Sequence, residues 1–133
     1  MIKNFIKISS EIKNAIKNKR PVVALESSLV SHGLPYPENI NIAKKSIKLI
    51  RSSGSIPATI GIIDGNVKIG LNDDEIDILG IKNNIQKVSR HNIALSMNKN
   101  MYASTTVAST MMVASMIGIK FFCTGGIGGV HRD

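Results

Sequence analysis

The chain has 133 residues, 43% of them hydrophobic, with one cysteine, no tryptophan and a formal charge of +8. That length supports one hydrophobic core, and no apolar run reaches the ~18 residues of a membrane span, so the composition describes a soluble globular domain with no bilayer anchor. The lysines are scattered through Ile- and Asn-rich stretches and aromatic residues are few, which argues against a nucleic-acid partner.

The start, MIKNFIKISSEIKNAIKNKR, is basic but lacks the unbroken apolar segment and small-residue cleavage site of a signal peptide, so a cytoplasmic location is expected. Ser9 is placed to cap a helix over residues 10–18, in which Ile12, Ala15 and Ile16 recur at helical spacing. The run PVVALES, residues 21–27, reads as a strand buried on both faces. SHGLPYPEN follows as a turn-rich surface loop. Over 38–52, Ile40, Ala43, Ile47 and Ile50 mark one apolar helix face, and Gly54 ends that helix. Residues 56–63 and 67–70, joined by Asp64, Gly65 and Asn66, match a β-hairpin. Asn72 and Glu75 resemble a capping box for a short helix closed by Gly80, and a short strand follows around Gln86–Ser89.

Residues 105–117, TTVASTMMVASMI, are small and apolar, which predicts a helix packed on several sides with Met111, Met112 and Met116 as core filler. IKFFCTG then reads as a buried strand, residues 119–124 with Gly125 following, in which Cys123 is a buried and inert thiol; a lone cysteine forms no internal disulfide. The alternation of helix and strand predicts a layered α/β fold with a mostly parallel sheet plus one hairpin.

Among residues able to do chemistry, Glu26 stands at the end of VVALE, where open α/β sheets gather ligand-binding groups. Desolvation favours the protonated form of a carboxyl group, the form a general acid needs; the competing reading is an ordinary exposed glutamate. TGGIGG, residues 124–129, is a candidate anion loop because glycine backbone amides approach a phosphate unobstructed, although a structural turn explains it equally well. His131 and Arg132 beside it, and Lys87 and Arg90 in KVSRHN, are cations suited to a phosphate or carboxylate, or to plain solvation. His32 and His91 form no local metal motif.

VVALESSLVSHGLPYPEN, IPATIGIIDGNVKIGL, KVSRHN, TTVASTMMVA and TGGIGGVHR follow one another as they do in pseudouridine-5'-phosphate glycosidases, the indigoidine-synthase-A-like family, which the chain resembles over nearly its whole length. The resemblance implies a homotrimeric, layered α/β/α enzyme using manganese, with pseudouridine 5'-phosphate, uracil and ribose 5-phosphate as its ligands. It implies reversible cleavage of a carbon–carbon glycosidic bond through an imine between a lysine and the sugar C1'. On the same ground Glu26 corresponds to the proton donor, Lys87 and Val107 to substrate-binding positions, and Thr124 and His131 to the pocket.

Members of that family run to roughly twice this length on the usual domain-size scale. Residues 1–133 are therefore expected to be the amino-terminal part of a single domain, truncated relative to the family. The imine-forming lysine and the metal-binding aspartate belong to later blocks, and Asp133 stands where the family has glycine. Such a chain is expected to be marginally stable, aggregation-prone or dependent on a complementary carboxy-terminal fragment. The alternative function is that of a non-catalytic fragment that binds a phosphate ligand or partner chain without turnover.

Overall fold

A computed structural model describes residues 5–98 and 100–128. The elements run β1 (Ile6–Ile8), α1 (Ser10–Lys17), β2 (Val22–Leu25), α2 (Ser28–His32), α3 (Glu38–Ser52), β3 (Ile56–Ile63), β4 (Asn66–Ile69), α4 (Asp73–Ile81), β5 (Gln86–Val88), a 3-10 turn at Ile93–Ser96, β6 (Ala103–Thr105), α5 (Val107–Met116) and β7 (Phe121–Cys123).

The strands form one sheet in the order β1-β4-β3-β2-β7, with β6 joined to β3 and β5 joined to β6. Pairings β1–β4, β2–β3, β2–β7 and β5–β6 are parallel, while β3–β4 and β3–β6 are antiparallel. Ile12 and Ala15 of α1 and Val113 and Ala114 of α5 share one core cluster with the sheet, whereas α2, α3 and α4 build a second around Val30, Ala43, Ile76 and Leu79. These two clusters make the molecule a three-layer α/β/α structure with a mostly parallel sheet and one hairpin.

Local signals set several elements as expected. Ser9 caps α1 by accepting from the Ile12 amide at 3.3 Å. Asn72 and Glu75 form a reciprocal capping box on α4, each side chain accepting the other's backbone N–H, at 2.9 and 3.0 Å. In the hairpin Ile63 pairs with Asn66, so the turn is the two residues Asp64 and Gly65, at φ +48° and +70°. Two positive φ values give the turn whose twist matches the strands. A Cβ on Gly65 would lie 2.2 Å from the Asn98 carbonyl oxygen. Gly65→Ala should therefore cost about 2 kcal/mol or more, from left-handed strain plus a backbone clash, read as a lower urea midpoint at unchanged slope.

Other expectations are corrected. β2 ends at Leu25, and Ser28–His32 is helical, so the loop begins only at Gly33. Val22 and Ala24 are buried but Val23 and Leu25 only partly, so β2 is not equally covered on both faces. Gly80 does not close α4, which continues to Ile81; a Cβ there would meet Ile40 Cγ1 at 2.5 Å, so the glycine permits close approach of α3 to α4. β1 and β6 were not anticipated, and residues 105–106 precede α5. Met111 and Met116 are 51% and 49% exposed and fill no core, because only the Ser109–Val113 side of α5 meets the sheet. β7 is exposed at Phe121 and Cys123, since among the described residues it pairs with β2 alone and ends the strand order. The Cys123 thiol is accordingly exposed and not buried.

Candidate active site

β2 and β6 both lie along β3, with β4 on its opposite edge: Leu25 pairs with Thr59, and Ser104 with Gly61. Running in opposite directions along the same edge, the two strands meet carboxyl end to carboxyl end beside Ile60. Residues immediately after each strand, Glu26–Ser28 and Thr106–Val107, are thereby drawn to one region although ~80 residues of chain separate them, as strand ends in α/β sheets commonly do.

Glu26 lines a cavity of about 340 Å³ between β2, α2, α3 and the end of β7. Its wall is largely apolar, with Leu25, Leu29, Val30 and Ala43, and Thr124 and Cys123 close one side. Glu26 Oε1 accepts from Thr124 Oγ1 at 2.5 Å, and Oε2 accepts from the Ser28 hydroxyl. Both oxygens are thus held, which locks the carboxyl orientation. One carboxyl group in an apolar cavity suits proton transfer; it is not the facing pair that hydrolyses ordinary glycosides.

Of the other residues singled out from sequence, Thr124 lies against Glu26, but Lys87 and Val107 do not line this cavity. Val107 is the half-buried first residue of α5, and Lys87 is exposed on β5 opposite Ser104. Arg90 is exposed just beyond β5. His131 and Arg132 lie outside the described residues. In the glycine loop the Gly126 amide donates to Thr124 Oγ1 at 3.3 Å, so that amide serves the local turn and is not free for an anion. Sequence reasoning passed over the hydroxyls of Ser27, Ser28, Thr105 and Thr110; the one available signal was the Ser-Ser pair directly after Glu26.

His32 lies within electrostatic reach of Lys87. Ser31 Oγ and Ser104 Oγ lie 2.6 and 3.4 Å from its Nδ1. Loss of water on that ring edge, and then the Lys87 charge, hold its pKa below the ordinary histidine value, with a backbone hydrogen bond to Ile85 acting the other way. The rest of the residue is exposed, which keeps the effect modest. Because the unfolded chain takes up the proton first, this contribution to stability is complete above about pH 6.5 and is lost as pH falls through the lower folded value. Thermal midpoints taken from about pH 7.5 down to about pH 5 should therefore fall further for the wild type than for His32→Gln.

Among the described residues, no three His, Cys, Asp or Glu side chains converge as a metal site. The described residues therefore supply no manganese site of their own.

The family model described as Indigoidine synthase A like protein matches residues 11–133. The chain is 49% identical over 128 residues to a pseudouridine-5'-phosphate glycosidase of Caldanaerobacter subterraneus subsp. tengcongensis, covering 96% of this chain and 42% of that protein. Against the protein of the same name in Escherichia coli it is 50% identical, covering 96% and 41%. The chain therefore spans less than half the length of the curated relatives it matches. Among solved structures, the prealnumycin C-glycosynthase AlnA, in complex with ribulose 5-phosphate, superposes with a TM-score of 0.81 at 40% identity, over 96% of this chain and 41% of that one. An indigoidine synthase A-like protein from Thermotoga maritima gives 0.82 at 30% identity, over the same shares. With a family match across almost its full length and relatives at about half identity, this chain belongs to the indigoidine synthase A like protein family.

Proposed function

We propose that the protein built with this chain reversibly cleaves the carbon–carbon glycosidic bond of pseudouridine 5'-phosphate to uracil and ribose 5-phosphate. The observation that carries the reading is Glu26, held on both oxygens by Thr124 and Ser28 at the wall of an apolar cavity. Its sequence setting is that of proteins named for this reaction.

A C-glycoside has no leaving heteroatom to protonate. When the C1'–C5 bond breaks, the electron pair stays on uracil C5, which must receive a proton. Glu26 supplies that proton, and takes it back when the bond is made, as microscopic reversibility requires. Thr124 and Ser28 aim the carboxyl group, and the apolar wall excludes water that would compete for the proton. Lys87 is the residue suited to the substrate phosphate, and family resemblance alone makes Val107, Thr124 and His131 further substrate-binding positions. The sugar C1' forms an imine with a lysine of a later family block. The working assembly is a manganese-dependent homotrimer in the cytoplasm; family membership alone supports that part of the reading.

The test is uracil release from pseudouridine 5'-phosphate, with manganese, by the protein isolated as it occurs in the cell. Stoichiometric uracil and ribose 5-phosphate are expected. Binding of ribose 5-phosphate with no uracil formed would overturn the reading in favour of a phosphate-binding protein without turnover.

A further inference from the structure

Directly behind Glu26 lies a set of buried hydroxyls with no part in the chemistry above. Ser27, Thr105 and Thr110 are all fully buried. Ser27 Oγ accepts the Thr105 backbone N–H at 2.9 Å and lies 3.3 Å from Thr105 Oγ1. Thr105 Oγ1 donates to the Ile60 carbonyl oxygen at 2.6 Å and receives the Thr110 hydroxyl at 2.9 Å.

The proton directions follow by count. A hydroxyl has one proton and two lone pairs. Thr105 commits its proton to Ile60, so both of its lone pairs accept, one from Thr110 and the other from Ser27. Ser27 thus gives its proton to the Thr105 side chain and takes one from the Thr105 backbone. Every proton is used once. The space for this arrangement comes from Gly61, where a Cβ would stand 3.2 Å from Ser27 Oγ.

We propose that Ser27, with Thr105 and Thr110, is a positioning device for the Glu26 carboxyl, locking the end of β2 against the end of β6. The inference rests on the reading of Glu26 as proton donor. Ser27 follows Glu26 directly and is the N-cap residue of α2, so anchoring its side chain fixes the short backbone link between β2 and α2 from which Glu26 projects. The same anchor holds Thr105, two residues before Val107, so the carboxyl and the start of α5 are fixed relative to one another. Burial makes the lock stiff, because no water can replace a lost partner.

The test compares Thr105→Ser, which keeps the hydroxyl, with Thr105→Val, which removes it, alongside Ser27→Ala and the milder Thr110→Val. Two readouts are used: kcat and KM for uracil release, and the rate of carbodiimide-driven amidation of Glu26 measured by peptide mass spectrometry. Thr105→Val and Ser27→Ala should lower kcat at least about tenfold with KM within about twofold, as expected for a misplaced proton donor. They should also change the Glu26 amidation rate at least about threefold, while Thr105→Ser stays at wild-type values in both readouts. If Ser27→Ala does not fold, Thr110→Val carries the test with a smaller effect in the same direction. Folded variants with unchanged kcat and unchanged Glu26 amidation would overturn the proposal. Should the wild type release no uracil, the functional reading fails, and the amidation rates still decide whether the hydroxyls position Glu26.

Discussion

Replacing Glu26 with Gln lowers the rate of uracil release by about a hundredfold to ten-thousandfold, the range supplied by a single positioned proton donor. The substitution is chosen because it removes the acid and keeps the shape. Gln carries an oxygen that can still accept from Thr124, and the Ser28 hydroxyl can turn to accept from the new amide. The fold should therefore persist, with a thermal midpoint within a few degrees of the wild type. KM should change little, since the binding contacts proposed for the phosphate lie on other residues. Retention of more than about a tenth of the wild-type rate would remove Glu26 from the role of proton donor. Thr124→Val provides a graded companion. It deletes the 2.5 Å contact to Oε1 and should lower kcat by less than the loss of the acid itself.

Self-association of the purified 133-residue chain is the second large effect expected. β7 has a free edge among the described residues, with Phe121 64% exposed, and Ile127 beyond it is 75% exposed. Met111 and Met116 add apolar surface on α5. A strand edge left unpaired and bearing a large exposed aromatic residue is a template for pairing with another chain. Light scattering at micromolar concentration should rise with time and temperature, and Phe121→Lys should suppress most of that rise. Lysine at an edge adds charge repulsion without disturbing β7 pairing to β2, which runs through backbone groups of Val23, Ala24 and Leu25 opposite Phe121, Phe122 and Cys123. A wild-type chain that stays a clear, non-associating solution and melts cooperatively would contradict the expectation.

Both predictions depend on features of different legibility. Glu26 could be singled out because an acidic residue closes an apolar strand run, and the run of hydroxyls after it is visible in the same few letters. Its partner Thr124 could be named only from the family resemblance, because 98 residues separate the two and no local pattern records a contact across parallel strands. The exposed β7 was misread for a related reason. IKFFCTG has the composition of a buried strand, but exposure depends on what lies beside it, and β7 has a neighbour on one side only among the described residues. Met111 and Met116 repeat the point on a helix: apolar composition describes the residues, not the surface that meets them.

Short-range chemistry was enough for the Ser9 cap, the Asn72–Glu75 capping box, the bounds of α3 and the Asp64-Gly65 turn, because each rests on contacts within a few residues. The layered α/β class also followed from the order of helical and extended patterns. Tertiary packing alone decided that β2 and β6 meet end to end, that Gly80 makes room for α3, and that Glu26 faces Thr124 while Ser27 faces Thr105. The physical division is one of range. Caps and turns satisfy their own backbone groups locally, whereas register, edge position and the direction of a side chain at a strand end are set by partners that the linear pattern does not bring together.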